Sequence, residues 1–315
     1  MTGEIEITRY TPDRSDEWNK LVAASTNGTF LHDRRFMEYH ADRFEDHSLF
    51  FESDGKVVGL LPANRVDDSL RSHGGLTFGG LLVQPSTSAA LVVQAFDGLR
   101  GYMVRSGLRT LHYKPVPHIF HGQPSEADIY ALSNAGGRVT RMDLSSAIPL
   151  GRKLSFSSGR KYGAKKAAKA GLSVSESTDF AAFWQILSDV LGQRHDARPT
   201  HSVEEITRIN TLFPEQIRLF GTFEGEQMRA GIVMFDFGRS VHAQYMASSQ
   251  AGRDIGALDL VVQGLVNDIF ADRDWFSFGI STTDEGRELN VGLSRQKEMF
   301  GARSLAIPQY HWDLG

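Results

Sequence analysis

Two stretches of the chain, about 170 residues apart, carry the same succession of apolar runs and polar breaks. In the first, residues 47–52 (HSLFFE) and 57–62 flank Asp54-Gly55, a dipeptide that marks a tight hairpin turn. In the second, residues 217–223 (IRLFGTF) and 228–235 (MRAGIVMF) flank Glu224-Gly225. Asp54 precedes the segment Leu91-Val92-Val93-Gln94 by 37 residues, and Glu224 precedes Leu260-Val261-Val262-Gln263 by 36. Around the second segment Ile255, Leu258, Val262, Leu265 and Ile269 recur at steps of three and four, which predicts a helix with these residues on one face. A short strand-like run follows each helix, at 108–113 (LRTLHY) and 275–280 (WFSFGI). Agreement in element order, turn and offset predicts a duplicated unit: a strand hairpin or meander, a helix, then another strand.

The predicted fold class is therefore α/β in the α+β sense, with two related units in tandem, each a mixed, mostly antiparallel sheet flanked by helices. Residues 149–177 turn basic and rich in Gly, Ala and Ser, so the units are expected at 1–150 and 151–315.

Composition narrows the function. The 315 residues are 41% hydrophobic and 23% charged, as in a folded protein, and the net charge of -4 excludes a uniformly basic nucleic-acid binder. With no cysteine, thiolate catalysis, disulfides and zinc-thiolate sites are excluded. No metal is expected, because His195 and His201 lack a third ligand at metal spacing. No run approaches a membrane span and the first residues lack a secretory pattern, so a cytoplasmic protein is expected.

Charge is segregated, however. Seven basic residues, including Arg160, Lys161 and Lys165, fall where there is no acid from 144 through 175, leaving 27 basic against 38 acidic residues elsewhere. On a helix Lys161, Lys165 and Lys169 would share one face, where mutual repulsion costs roughly 0.2–0.5 kcal/mol per pair and an anion would relieve it. A solvated interdomain helix is the other reading.

The strands, the Gly- and Arg-containing segment 251–259 (AGRDIGALD) and the following helix resemble the core of the Gcn5-related N-acetyltransferase superfamily. Arg253 and Gly256 match its pyrophosphate loop, whereas Leu258 stands where that pattern has a small residue. The resemblance implies acyl-CoA as co-substrate, held by Arg253, Asp254, Ile255, Gly256 and Ala257 at a helix N-terminus. An ordinary helix start, with Gly256 needed for packing, is the alternative. Tandem units resemble the Fem-like branch, in which aminoacyl-tRNA donates amino acids to peptidoglycan precursors, and related acyltransferases of surface-polysaccharide synthesis. Lys297, Phe300 and Gly301 match that group's closing segment. No such loop precedes Leu91, so the first unit is expected to bind no CoA and to serve acceptor binding or scaffolding.

Several polar groups lie where chemistry is expected. Glu285 is the candidate base, with Ser281 and His242 as further catalytic candidates, because acyl transfer to an amine needs a proton acceptor and a donor for the developing oxyanion. Strand alternation places His242 and Gln244 on one face and Tyr245 on the other. Arg194, His195 and His201, in a segment broken by Pro199, and Gln244, Tyr245, Asn290 and Lys297 complete the substrate-binding set. Structural roles compete with each: a buried hydrogen-bonded histidine, a capping box at Ser202 and Glu205, solvated loop acids.

The sequence thus predicts an N-acyltransferase acting from acyl-CoA on an amine of a phosphorylated or sugar-containing acceptor such as a sugar nucleotide, in cell-envelope polysaccharide synthesis. Aminoacyl-tRNA-dependent transfer is the alternative, with tRNA as partner. A non-catalytic glycan- or nucleotide-binding module is a third.

Overall fold

The structure, a computed structural model, describes residues 4–195 and 199–315, with backbone alone for 193–195. It divides into two compact units. The first comprises residues 1–142 together with 307–315, and the second residues 143–306. The division falls before the boundary expected at 150, and the chain's last nine residues return to the first unit instead of completing the second. The reason is strand pairing: 310–313 hydrogen-bond antiparallel with 110–113.

In unit 1 the elements run β1 (Glu6–Arg9), α1 (Ser15–Ala24), α2 (Arg34–Met37), β2 (Glu45–Asp46), β3 (Leu49–Ser53), β4 (Lys56–Leu61), β5 (Asn64–Val66), β6 (Ser69–Arg71), β7 (Leu82–Val83), α3 (Ala89–Arg105), β8 (Thr110–Tyr113) and α4 (Ala127–Asn134). Strand β9 (Arg138–Pro149) then leads into unit 2. One antiparallel sheet has the order β1-β3-β4-β7. Strands β2, β5, β6 and β8 form another, with β6 parallel to β8. The β3–β4 hairpin turns at Asp54-Gly55, both at positive φ (50° and 71°), as a type I′ turn requires. Phe96, Leu99 and Met103 of α3 pack with Leu49, Phe51, Leu111 and Trp312 into one core.

Unit 2 runs α5 (Ser158–Lys169), β10 (Ser173–Ser177), α6 (Phe180–His195), α7 (Val203–Leu212), β11 (Ile217–Glu224), β12 (Gln227–Asp236), β13 (Ser240–Ser248), α8 (Gln250–Ile255), α9 (Ala257–Gly264), β14 (Trp275–Ile280), β15 (Thr282–Thr283), β16 (Glu288–Leu289), α10 (Val291–Glu298) and β17 (Arg303–Asp313), whose end belongs to unit 1. Its sheet has the order β10-β11-β12-β13-β14-β9 and is antiparallel except between β13 and β14. Val261, Val262, Leu265 and Val266 of the α9 segment pack with Ile232, Met234, Phe276 and Phe278 of the sheet.

Both units carry the predicted succession: hairpin (β3–β4, β11–β12), third strand (β7, β13), helix (α3, α8–α9) and strand (β8, β14). The second hairpin turns one residue later than the sequence suggests, at Gly225-Glu226. The predicted helix face also breaks. A π-turn over Leu265–Ile269, closed by Phe270 N–H donating to the Leu265 carbonyl at 2.9 Å, inserts a residue into the helical repeat. It turns Ile269 outward, 38% exposed, and buries Val266 and Phe270.

Candidate functional site: a parting between two parallel strands

Strands β13 and β14 pair over only three residues, Ser240 with Trp275, Val241 with Phe276 and His242 with Ser277. Beyond His242 they separate. On β13 the cause is a bulge: Met234 of β12 faces Ala243 and Val233 faces Tyr245, so Gln244 is the extra residue. On β14 the register against β9 slips between Ser277 and Ile280, where Gly279 adopts φ +73°. The β13 edge that faced β14 therefore continues past His242 without a ladder partner, and its backbone groups can receive an extended ligand.

A polar cluster occupies the parting. His242 Nδ1 lies 3.0 Å from Ser277 Oγ, which accepts a hydrogen bond from the Gly279 N–H at 3.3 Å. Any Cβ on Gly279 would meet the His242 ring at 3.1 Å. Lys297, in the last turn of α10, donates to the carbonyl oxygens of Gly279 (2.8 Å) and Ile280 (2.6 Å). The Lys-Glu-Met-Phe-Gly segment explains this inward lysine. Phe300 is fully buried and stacks on Phe278, Gly301 ends the turn at φ +84°, and Lys297 is thereby turned toward the sheet. Burial pushes Lys297 down to about 8, and burial plus the Lys297 charge pushes His242 down to about 4. At neutral pH the site thus pairs a neutral imidazole with a buried ammonium. Ser281 follows in the chain; its hydroxyl is buried without a hydrogen-bond partner among the described residues.

The segment expected as a pyrophosphate loop is differently built. Residues Gln250–Ile255 are helical, and Gly256 at φ +81° joins α8 to α9. Arg253 turns back onto the Ser248 carbonyl (2.8 Å) and the Gln250 side chain (2.6 Å). Helix α5 lies across the junction: a Cβ on Gly256 would run into the Gly163 backbone, and one on Gly163 into the Asp259 carboxylate. Asp259, in the first turn of α9, pairs with Arg160 at 2.7 Å, and the Arg160 guanidinium stacks 4.4 Å from the Phe300 ring centre. Burial raises Asp259 above the usual carboxylate value and Arg160 opposes it. Lys166 donates to the Asp254 carbonyl at 2.7 Å. A cavity of about 300 Å³ remains beside this junction, lined by Arg160, Met246, Ser248, Arg253, Asp259 and Gln296, among others.

No protein-family model and no curated protein matches the sequence. Solved structures do. FemX matches with a TM-score of 0.68 at 13% identity, over 98% of this chain and 97% of its own. The chain has the fold of FemX. L-PGS from Bacillus licheniformis matches with a TM-score of 0.63 at 12% identity, over 98% of this chain and 92% of its own. A tandem protein of the Gcn5-related type from the clavulanic acid biosynthesis pathway reaches 0.51 at 12% identity, over 99% of both chains.

On the FemX fold the sequence-predicted residues distribute unevenly. His242, Lys297 and Ser281 fall at or next to the strand parting. The bulge overturns the strand alternation: Tyr245, expected opposite His242, comes to the same face, because skipping Gln244 shifts the pleat by one. There its hydroxyl meets His201 Nδ1 at 2.5 Å, and its ring packs edge-on against Trp184 at 5.2 Å. Arg160 is committed to Asp259, while Lys161 and Lys165 face solvent on α5, whose inner face is Gly163, Ala164 and Ala167. Glu285 sits at the tip of the β15–β16 hairpin with a 75% exposed side chain, 3.8 Å from Arg287, outside the His242 cluster. Asn290 caps α10 by accepting from Leu293 N–H. The side chains of Arg194 and His195 lie outside the described residues.

Sequence reasoning missed Ser277 and Asp259. The visible signals were a lone hydroxyl within the aromatic run WFSFGI and an acid in a helix's first turn.

In unit 1 the corresponding strands β7 and β8 do not pair. Tyr113 bridges from β8, its hydroxyl accepting from Leu81 N–H (2.7 Å) and donating to the buried Asp128 carboxylate (2.5 Å).

Proposed function

We propose that unit 2 transfers an aminoacyl group from an ester on tRNA to an amine of a phosphorylated or sugar-containing acceptor. The observation that carries the choice of donor is the α9 N-terminus. A CoA pyrophosphate needs bare N–H groups and a positive helix end. Here Asp259 already supplies the negative charge, and α5 rests on Gly256. A diphosphate would have to displace both. Likeness to FemX and to L-PGS, a name that denotes lysyl attachment to phosphatidylglycerol, favours the same donor.

In this reading the donor's terminal ester lies along the open edge of β13. The acceptor's neutral amine attacks the ester carbonyl; His242, held by Ser277, takes the proton that its nitrogen sheds, directly or through a water, and returns it to the tRNA oxygen as the ester C–O bond breaks. Lys297, with two of its three N–H bonds fixed on Gly279 and Ile280, turns the third toward the developing oxyanion. The exposed α5 lysines meet the tRNA backbone.

Binding of the full chain to aminoacylated tRNA and to acyl-CoAs of several lengths tests this. We expect tRNA retention at low salt that weakens steeply with ionic strength, and falls about tenfold or more in the Lys165→Glu plus Lys169→Glu variant. Saturable binding of an acyl-CoA with no tRNA retention would overturn the donor assignment.

A further inference from the structure

Unit 1 carries a polar sheet face that the transfer reading does not use. Arg71 on β6 is in register with His112 on β8, and His112 with His311 on β17. In-register residues of neighbouring strands share a face, and the residues between them (Leu70, Leu111, Tyr310, Trp312) point the other way into the core. The row is therefore Arg71, His112, His311, spanning about 10 Å at the usual strand spacing. The two imidazole rings lie 4.7 Å apart, centre to centre. Arg71 and His112 are exposed and His311 is half-buried.

Like-charged groups directly opposite one another destabilise a sheet unless something of opposite sign sits on them. Arg71 has no carboxylate partner among the described residues. Two residues beyond His112, Lys114 adds a further ammonium, held on the Leu76 carbonyl at 2.5 Å, and Arg141 acts on it electrostatically. The same row continues to Asn64 of β5, opposite Arg71, and to Asp46 of β2, which is paired with Arg34; the neighbouring row carries the Ser69 and Thr110 hydroxyls, 2.6 Å apart, and Asp313. Asp313 pairs across from Thr110 at the end of the strands, and its carboxylate accepts from Gly315 N–H.

We propose that the row Arg71, His112 and His311 is an anion site on unit 1 that binds a phosphate or diphosphate ester. Arg71 supplies a planar fork for phosphate oxygens, and the two imidazoles supply N–H donors. Strand spacing suits a diphosphate, whose oxygens reach neighbouring rungs. This site goes beyond the transfer reading and is tested by binding alone, so failure of transfer chemistry would leave it standing.

Calorimetric titration of the full chain with inorganic pyrophosphate and with UDP-glucose, at pH 8 and pH 6, decides it. We expect both to bind, and at least about fivefold more tightly at pH 6 than at pH 8, because the anion favours the protonated form of His112, which burial, His311 and Arg71 disfavour in its absence. Arg71→Gln should weaken binding about tenfold, and His112→Gln with His311→Gln should remove the pH dependence while leaving the melting temperature unchanged. Tighter binding of UDP-glucose than of pyrophosphate identifies an esterified ligand, and equal binding identifies the bare anion. No heat with 1 mM pyrophosphate at pH 6, or affinity unaffected by Arg71→Gln, would overturn the proposal.

Discussion

The backbone of Gly163 in α5 closes the space beside Gly256, between α8 and α9, and the Asp259 carboxylate closes the space beside Gly163, so neither position has room for a side chain. Gly256 also holds φ +81°, a conformation that costs other residues roughly 1–2 kcal/mol. Gly256→Ala combines strain with collision and should lower the unfolding free energy by about 2 kcal/mol or more. Urea denaturation measures it; a loss below about 0.5 kcal/mol would mean that α5 does not rest on this junction.

Lys297→Met should abolish transfer by at least about a hundredfold, because it removes both the oxyanion donor and the group that fixes the Gly279 and Ile280 carbonyls. Single-turnover kinetics would show it. Glu285→Gln, at an exposed hairpin tip, is expected to leave the rate within about threefold, and a collapse there would move the base from His242 to Glu285.

Acid should unfold unit 1. Burial pushes His32 and His47 down to about 4 and His73 to about 3, so these imidazoles are neutral in the fold. The unfolded chain takes up their protons near 6.5, so stability is full above that pH and declines as pH falls through the window down to 3–4. Asp128 acts in the opposite sense: raised to about 6, it makes the fold more stable as pH falls from 6 to 4. Three histidines outweigh one carboxyl. The unfolding free energy should therefore drop between pH 7 and pH 5, and a flat or rising profile contradicts the buried neutral histidines.

Tyr113→Phe removes the donor to Asp128 and the acceptor for Leu81 N–H. The Asp128 carboxylate keeps its backbone donors, and losing one hydrogen bond to a buried charged group costs about 1–3 kcal/mol. The loss should be larger at pH 8, where Asp128 is ionised, than at pH 5, where it carries its own proton. Equal losses at both pH values would show that the phenol is not supporting the charged carboxylate.

Much of the architecture was written in local patterns. Asp54-Gly55 and the two apolar alternations dictated hairpins, because only a few residues accept positive φ and a period of two fixes the buried face. The spacing around Leu260 dictated a helix, and Lys297 with Phe300 and Gly301 marked a residue that does prove buried at the strand parting. These signals are carried by neighbours in the chain, and physics acts on them locally.

Tertiary structure decided the rest. The π-turn at 265–269 and the bulge at Gln244 each insert one residue, and a one-residue slip reverses which side chains face inward; nothing in a periodic sequence announces it. The meeting of Gly163 with Gly256, of Arg160 with Asp259, and of Arg71 with His112 and His311 joins residues 40 to more than 230 positions apart in some cases. Composition and spacing determined that basic groups and glycines were present. Only long-range packing determined that Arg160 is neutralised by an acid while Arg71 has no carboxylate partner among the described residues.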